Sequence, residues 1–528
     1  MTFIKWVLPS DVEEGPILLP APTNCILHLF IRDFCLYNIM KKIPHPLVAI
    51  IPLVCLVVLI SLSIGIFGSD ALLGSSQISL LFGTALCISL SMTIYHTPWK
   101  EMEKEIERTI GTAAIAVFIL LLIGMLSASW MISGIVPTLV YYGIQIMHPT
   151  YFLMTTCIIC AIVSVMTGSS WTTVATIGVA LMGIGNALEI SPAWTAGAII
   201  SGAYFGDKIS PLSDTTILAS TSAGTELFSH IHYMLFTTIP SFILALIAFT
   251  LKGIMSDVGG DTHIEEYNYH LSTTFHISPW TLVVPVLTAI LIIKRIPPLI
   301  TLFVSSLLAA GCALIMQPHV LQQIAGENLT PFWQMLKGTI IMFSTSTQID
   351  TGNEAVNALV ATGGMSGMLN TIWLILCAMI FGAVMMASRM LQSITLVLLN
   401  IIRTTLGLVS STVGTGLLMN ISTGDQYLSI VITANMYRDA YKKMGLESRL
   451  LSRTCEDAVT VTSVLIPWNT CGLTQSTILG VPTWTFIPYC FFNYISPIMT
   501  LIVAALGWKI VKKSPIPESA EHFVEQQN

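Results

Sequence analysis

Long apolar stretches that are almost free of charge dominate the chain. Between Thr109 and Gly206 the only formally charged side chain is Glu189. A helix needs about 20 apolar residues to cross the hydrocarbon core of a bilayer, so these stretches predict membrane-spanning helices. Only 9% of the 528 residues are charged, whereas a soluble domain carries about 25%. The sequence therefore predicts an all-α polytopic membrane protein.

The apolar segments predict about 11–13 transmembrane helices, some of them broken or re-entrant. They lie near 47–67, 76–95, 110–131, 149–166, 192–205, 231–251, 278–293, 296–316, 370–388, 391–419, 450–466 and 484–508. A mixed-charge stretch at 98–109 is expected to be an interfacial helix that links two spans. The predicted divisions are an N-terminal extension and tail (1–45), a first transmembrane repeat (46–251), a loop (252–277), a second repeat (278–508) and a C-terminal tail (509–528).

Lysine and arginine placement predicts the orientation. Basic residues precede the first span, follow the second, cluster at 438–453 and follow the last span, and such residues favour the cytoplasmic side. Lys252 is the only lysine or arginine in the loop 252–277, so this loop is expected on the external side of the membrane. Both termini are then cytoplasmic, and the two halves are expected to form inverted repeats. Met40-Lys41-Lys42 is typical of a natural start, so residues 1–39 are expected to have no role in transport.

Two similar segments, one in each half of the chain, support the predicted inverted repeat. "MTGSSWTTVATIGVA" begins at Met166 and "ISTGDQYLSIVITAN" begins at Ile421. Each places Thr-Gly and small polar residues ahead of a β-branched apolar run. An acidic segment follows each of them, at 206–216 in the first half and at 456–470 in the second.

Three polar stretches interrupt the apolar background and predict the functional site. They are Thr167-Gly168-Ser169-Ser170, Gly206 to Pro211, and Asn420 to Asp425. A charge at the middle of a membrane helix costs about 2.5–3.5 kcal/mol on insertion scales, so charges there are functional by default. In transporters, broken helices expose carbonyls to cations. Hydroxyl and carboxylate oxygens add the ligands that a hard cation such as Na⁺ prefers.

Asp207 and Asp214 are the leading candidate ligands for Na⁺. A buried carboxylate that can hold either a proton or Na⁺ is sufficient for exchange if the site faces each side in turn. Two other interpretations stay open for this stretch. Lys208 could neutralise Asp207 and leave Asp214 as the working group, or the whole stretch could be a solvated cytoplasmic loop.

Other polar residues carry two interpretations each. We favour a functional role for Asp425, whereas Glu456-Asp457, which follow Arg449 and Arg453, could be a surface ion-pair cluster or part of the site. The stretch around Asp350 and Glu354 could be a gate or a plain loop. For His230 and His232 a structural role is favoured over a pH sensor, and for Cys157 and Cys160 packing is favoured over metal binding.

The sequence lacks the complete motifs of two classes of membrane enzyme, so we do not expect an enzyme. Tyr204-Phe205-Gly206-Asp207 lacks the first glycine of the Gly-x-Gly-Asp motif of membrane aspartyl proteases, and no His-Glu-x-x-His zinc motif is present. No basic stripe points to nucleic acid. The expected partners are Na⁺, H⁺, the lipid bilayer and, in an alternative reading, a small carboxylate. A homodimer is compatible with the sequence, and no cofactor is expected apart from the transported ions.

Four segments together resemble the NhaC-type sodium/proton antiporter family over roughly residues 40–510. They are "TGSSWTTVATIGVALMGIG" (167–185), "GAIISGAYFGDKISPLSDTTILAS" (197–220), "STGDQYLSIVITANMYRDAY" (422–441) and "LSRTCEDAVTVTSVLIPWNTCG" (451–472). The resemblance implies a secondary antiporter of the bacterial inner membrane with inverted repeats and re-entrant hairpins. The same family includes exchangers that look like malate/lactate antiporters coupled to H⁺ and Na⁺, which is the alternative function.

The resemblance also implies site residues at the matching positions. The family motifs place them at Asp207, Ser210, Asp214 and Thr215 in the first half. In the second half they fall at Thr423, Gly424, Asp425, Asp457, Asn469 and Thr470. With Thr167, Gly168 and Ser169 from the first polar stretch, these residues form the predicted ion or substrate site.

Overall fold

A computed structural model describes residues 43–255, 262–294, 296–326, 330–400 and 402–510. Most of the predicted N-terminal and C-terminal tails (1–42 and 511–528) lie outside the described residues, as do loop residues 256–261. Within the described ranges the chain is almost entirely helical, and its one extended pairing there is an isolated bridge between Thr347 and Thr362. The predicted all-α class is confirmed.

The first half contains the helices α1 to α11. Their bounds are α1 Pro46–Ala49, α2 Ile51–Phe67, α3 Ser75–Ile94, α4 Trp99–Ile132, α5 Ile135–Ile146, α6 Phe152–Thr167, α7 Ser170–Thr173, α8 Val179–Ala187, α9 Pro192–Ile209, α10 Asp214–Ala223 and α11 Leu227–Met255. A π-helical turn, Val174–Gly178, joins α7 to α8.

The second half continues with α13 to α25, after a short helix α12 in the predicted loop. Their bounds are α12 Thr262–Thr274, α13 Val283–Ile293, α14 Pro298–Met316, α15 Pro318–Ala325, α16 Pro331–Ser344, α17 Glu354–Val360, α18 Leu369–Ala387, α19 Met390–Asn400, α20 Thr405–Thr423, α21 Gln426–Lys443, α22 Ser448–Cys455, α23 Thr470–Leu479, α24 Thr483–Phe486 and α25 Phe491–Ala505. A π-helical turn, Glu456–Thr460, continues α22.

Seven helices among the described residues are long and apolar enough to cross a membrane, and the number is nine if each of two bent pairs forms one span. The bent pairs are Glu265–Thr274 with Pro279–Ile293 and Thr483–Tyr489 with Phe491–Ala505. The helices α9, α20 and α21 fall outside this set because polar and small residues interrupt their apolar faces. The chain is thus a multi-pass membrane protein, while the total of 11–13 helices stays a prediction.

Two predicted boundaries differ from the structure. The stretch 98–109 is not a separate linker, since residues 99–109 form the first third of the 34-residue helix α4 and no proline lies within Trp99–Ile132 to interrupt it. The predicted segment 391–419 is two helices, because Thr404 caps a new helix start by accepting a hydrogen bond from the backbone N–H of Gly407.

The outer helices and the central helices bury different kinds of side chain. Large apolar residues of the outer helices are exposed, as Phe82 and Phe118 show with 64% and 63% of their surface accessible. The central helices bury serine, threonine, asparagine and charged residues instead. The outer surface therefore suits lipid, and the polar chemistry lies inside the helical bundle.

Small residues bring α6 and α9 into close contact. A Cβ atom added at Gly202 would lie 2.1 Å from the carbonyl oxygen of Cys157, and one at Gly206 would lie 2.4 Å from that of Ala161. Small residues at helix interfaces allow this approach in membranes. The contact holds Asp207, near the end of α9, against the break that follows α6.

Candidate functional site

The first helix break lies between α6 and α7. Gly168 ends α6 in the left-handed conformation with a φ of 68°, and Ser169 caps α7 by accepting a hydrogen bond from the backbone N–H of Thr172 at 3.2 Å. A Cβ atom at position 168 would also lie 2.7 Å from the backbone of Leu212. Glycine is therefore required here both by the backbone conformation and by the turn that packs against it.

The second break interrupts the acidic stretch, as predicted. α9 ends at Ile209, and Ser213 caps α10, which begins at Asp214. Between them Ser210 Oγ donates a hydrogen bond to the carbonyl of Val165 at 2.8 Å and ties the turn to α6. Asp207 and Asp214 therefore belong to different helices, one before the turn and one after it.

Asp207 is buried, and the described residues that donate hydrogen bonds to its carboxylate are all neutral. Its Oδ2 accepts hydrogen bonds from the backbone N–H of Ser170 at 3.1 Å and from Ser170 Oγ at 2.7 Å. Its Oδ1 accepts from Ser213 Oγ at 2.6 Å. The carboxylate thus sits at the N-terminus of α7, which favours a negative charge. Neutral donors leave that charge available to a mobile cation or a proton.

A chain of hydroxyl groups leads from Asp207 to Glu456. Ser213 Oγ lies 2.9 Å from Thr215 Oγ1, which donates to Glu456 Oε1 at 3.2 Å. Glu456 is fully buried, and its Oε2 has no hydrogen-bond partner among the described residues. Sequence reasoning left open whether Glu456 belongs to the site, because its contact with Thr215 joins residues 241 positions apart.

The third break repeats the construction of the first. Gly424 ends α20 with a φ of 63°, and Asp425 caps α21 by accepting from the backbone N–H of Leu428 at 2.9 Å. Thr423 Oγ1 lies 2.9 Å from Ser429 Oγ. In the first break Thr167 Oγ1 lies 3.1 Å from Thr173 Oγ1. The two breaks are separated by 256 residues (167 to 423).

The same shift of 256 residues relates further contacts. Ser164 Oγ donates to the carbonyl of Ala203 at 2.6 Å, and Asn420 Nδ2 donates to the carbonyl of Val459 at 2.7 Å. Ser213 caps α10, and Asn469 caps α23. Each of these caps follows a proline by two positions, at Pro211 and Pro467. The two halves thus share a set of equivalent local contacts, which the sequence indicated only faintly.

The breaks meet at a cavity of about 610 Å³. Seven of the predicted site residues line it: Thr167, Gly168, Ser169, Asp207, Asp214, Thr215 and Asp425. Ser170, Gln426 and Tyr427 line it as well, although they were not in the predicted set. Asp214 is exposed to this space, whereas Asp207 and Asp425 are buried at its wall. Of the described residues that line the cavity, none is a lysine or an arginine.

Apart from Asp457, the remaining predicted residues support the wall of the cavity without lining it. Ser210 holds the second break, and Thr423 and Gly424 build the third. The backbone N–H of Thr470 donates to the carbonyl of Gly424 at 2.8 Å, and Asn469 Nδ2 donates to the carbonyl of Asn420 at 3.2 Å. These contacts fix where α21 starts relative to α23.

Asp457 lies in a separate, fully buried charge cluster. Lys208 Nζ donates to Asp457 Oδ1 and, at 2.9 Å, to Ser496 Oγ. Thr237 and Thr500 donate to Asp457 Oδ2, and Arg453 Nε lies 3.9 Å from it. Asp457 is 0% exposed, so the surface ion-pair interpretation is wrong. Lys208 pairs with Asp457 rather than with Asp207, because its side chain points away from the cavity.

Other candidates lie outside the cavity lining. His230 is buried, with Nδ1 2.8 Å from Ser452 Oγ. Cys157 and Cys160 are buried in the core beside α9. Asp350 lies in an exposed loop, where hydrogen bonds from the backbone of Gly352 and from Asn357 hold the pKa of its carboxyl below the ordinary value. These positions suit structural roles.

Broken helices, a multi-pass membrane architecture and three carboxylates at one internal cavity together define a secondary transporter. The chain belongs to the Na⁺/H⁺ antiporter family, whose family model matches residues 40–226 and 202–508.

Curated relatives span most of the chain. It is 37% identical over 79% of its length to the Na⁺/H⁺ antiporter NhaC of Alkalihalophilus pseudofirmus, covering 87% of that protein. It is 33% identical over 90% of its length to the arginine/ornithine antiporter ArcD of Halobacterium salinarum, covering 95% of it. It is also 33% identical over 82% of its length to the malate-2H⁺/Na⁺-lactate antiporter of Bacillus subtilis, covering 89% of it.

Proposed function

We propose that the chain exchanges Na⁺ for H⁺ across the bacterial inner membrane by alternating access. The observation that carries this proposal is the environment of the cavity carboxylates. The described donors to Asp207 are all neutral, Asp214 faces the open cavity, and among the described lining residues there is no fixed cation. A carboxylate in this position gains most from a mobile cation or a proton, and the two compete for it.

Hard-cation coordination is available around the same carboxylates. Hydroxyl and carbonyl oxygens accompany them at Thr167, Ser169 and Thr215, all on the cavity lining. Oxygen donors of this kind suit Na⁺. We place the cation between Asp207 and Asp214. The proposed exchange uses no cofactor apart from the transported ions.

Alternation between the two sides would come from the repeated architecture. The equivalent contacts at a shift of 256 residues support two halves of common construction, and the placement of basic residues supports an inverted arrangement with cytoplasmic termini. Relative movement of such halves about a fixed midplane site exposes that site to each side in turn.

The test uses purified protein in liposomes with an acidic interior. Added NaCl is expected to alkalinise the interior, because each Na⁺ that enters displaces protons outward. Asp214→Asn is expected to abolish the response, while Asp350→Asn, a carboxylate of an exposed loop, is expected to retain it. A normal response in Asp214→Asn would contradict the proposed cation site.

Exchange of a small carboxylate with Na⁺ and H⁺ is the second candidate. The cavity favours it by size, since about 610 Å³ lies within the roughly 300–1,000 Å³ typical of small-molecule sites. In the same liposomes, lactate or malate is added with Na⁺ held equal on both sides. A pH response that requires the organic anion and is absent with Na⁺ alone would establish this second function instead.

A further inference from the structure

The cavity is larger and more apolar than a site for a bare ion requires. Its volume is about 610 Å³, whereas small organic ligands occupy pockets of roughly 300–1,000 Å³. Carboxylates and hydroxyl groups form only one part of its lining. The rest includes apolar side chains, among them Ile115, Ile119, Leu218, Ile292 and Val431. A hard cation is held by oxygen ligands, so these apolar side chains contribute nothing to its binding.

Asp214 is the carboxylate that is open to this space. It is exposed and lines the cavity, and among the described residues no group donates a hydrogen bond to its carboxylate. Asp207 and Asp425 lie buried at the wall and accept hydrogen bonds from the backbone at the starts of α7 and α21. The described part of the lining contains no lysine or arginine. The cavity therefore attracts a positive charge, and Asp214 is the accessible partner for it.

Two aromatic residues at equivalent positions also line the cavity. A shift of 256 residues relates Trp171, the second residue of α7, to Tyr427, the second residue of α21 (171 to 427). Tyr427 leaves 40% of its surface accessible. Its phenol interacts electrostatically with Asp214 and Asp207, so this ring of the second half lies near the carboxylates of the first half. The face of an indole or phenol ring attracts an organic cation.

An accessible carboxylate, aromatic rings and apolar side chains around one space suit an organic ammonium ion. The carboxylate pairs with the ammonium group, and the rings and aliphatic side chains cover its hydrocarbon part. A ligand with a carboxylate of its own would meet three aspartates, and the described lining has no basic residue to balance them. By charge, the cavity therefore favours an amine over a carboxylic acid or an amino acid.

We infer that the cavity binds an organic ammonium ion that has no carboxylate, with its ammonium group on Asp214 and its hydrocarbon chain against Trp171 and Tyr427. The inference rests on the proposed function in one respect, because the cavity that takes the amine is the one proposed to exchange Na⁺ for H⁺. The amine and Na⁺ then compete for the same carboxylate, and the amine is a second cation that the site can accept.

Three probes with the same hydrocarbon chain test the inference by equilibrium dialysis against the purified full chain in lipid nanodiscs. Butylammonium carries only the ammonium group, 1-butanol replaces that group by a hydroxyl, and norvaline adds a carboxylate to the carbon that bears the ammonium. Empty nanodiscs correct for partition into lipid. Butylammonium is expected to bind at least about tenfold more tightly than the other two, because butanol loses the charge-assisted contact with Asp214 and norvaline brings a carboxylate that the aspartates repel.

Variants at Tyr427 then locate the hydrocarbon chain. Tyr427→Leu is expected to weaken butylammonium binding by about threefold or more, since it removes the ring and keeps an apolar side chain. Tyr427→Phe keeps the ring and is the matched control, expected to bind nearly as the wild type does. Phe118→Leu, which removes an exposed ring of α4 outside the cavity lining, is expected to leave binding unchanged.

Several results would overturn the inference. Butanol or norvaline could bind as tightly as butylammonium, which would show that the cavity selects neither for the ammonium group nor against the carboxylate. Unchanged butylammonium binding in Tyr427→Leu, or an equal loss in Tyr427→Phe, would show that the ring does not contact the ligand. The comparison of the three probes needs no variant, so it does not depend on the folding of a mutant.

The outcome is separable from that of the proposed exchange. Butylammonium binding is measured without Na⁺ and without an ion gradient. A protein that moves protons in response to Na⁺ but does not prefer butylammonium contradicts only the amine inference. A protein that prefers butylammonium but shows no Na⁺-driven proton movement contradicts only the proposed Na⁺/H⁺ exchange.

Discussion

Two buried aspartates, Asp207 and Asp457, lie close to Lys208 and differ in the groups that surround their carboxylates. Within the described part of the chain, the carboxylate of Asp207 accepts hydrogen bonds from two serine hydroxyls and a backbone N–H. Asp457 accepts from Lys208 and has the guanidinium group of Arg453 3.9 Å away. Fixed cations neutralise the second carboxylate, whereas no described lysine or arginine contacts the first. In the proposed function a mobile cation or a proton neutralises it.

The hydrogen-bond partners of the two aspartates agree with this division. Asp457 joins side chains from α9, α11 and α25, through Lys208, Thr237 and Thr500. It therefore ties together helices of both halves. The partners of Asp207 belong to the two breaks beside the cavity. Because the partners of the two aspartates differ in this way, burial of an acidic residue in a membrane protein is not enough to assign it to the ion path.

The largest expected effect comes from breaking the Asp457 cluster. Asp457→Asn leaves Lys208 and Arg453 buried without a balancing charge, and breaking a buried ion pair in this way costs about 3–5 kcal/mol. We expect a marked loss of folded protein in thermal unfolding followed by tryptophan fluorescence. The double variant Lys208→Met/Asp457→Asn removes one charge of each sign and is expected to recover most of that stability.

A double variant no more stable than Asp457→Asn would show that Asp457 does not act through Lys208. Asp207→Asn serves as the matched comparison within the same measurement. Its amide oxygen can still accept from Ser170, its amide nitrogen can donate to the hydroxyl oxygen of Ser213, and no fixed cation loses its partner. Its unfolding temperature is therefore expected to stay close to that of the wild type.

A smaller effect is expected from the glycine that shapes the cavity. Gly168→Ala forces a residue with a Cβ atom into the left-handed conformation, which costs about 1–2 kcal/mol, and drives that atom against Leu212. The rate of Na⁺-driven proton movement in liposomes is expected to fall, because Ser169 and Ser170 shift relative to Asp207. Gly414→Ala, in the interior of α20 with open space around it, is the control and is expected to keep the wild-type rate.

The sequence predicted the breaks well but not the partners across them. Glycine, proline and capping residues inside apolar segments located the breaks at 167–170, 206–211 and 420–425, because these residues act on their own backbone. The same local logic missed the continuity of α4 through residues 98–109. Asp207 and Asp214 were singled out correctly as neighbours of one turn, and the structure brings Asp425 to the same cavity.

Long-range partners could not be read from the chain. The partner of Lys208 is 249 residues away, and the contact between Thr215 and Glu456 spans 241 residues. Sequence adjacency suggested Asp207 as the partner of Lys208, although successive residues on a helix point in directions about 100° apart.

Equilibrium binding of radioactive Na⁺ to the purified protein tests the central claim most directly. The claim is that the cation binds at the Asp207 side of Lys208 and not at the Asp457 side. Asp207→Asn is therefore predicted to lose Na⁺ binding, while Lys208→Met/Asp457→Asn is predicted to bind Na⁺ with the wild-type affinity. Retained binding in Asp207→Asn together with its loss in the double variant would contradict the claim and place the cation site at Asp457.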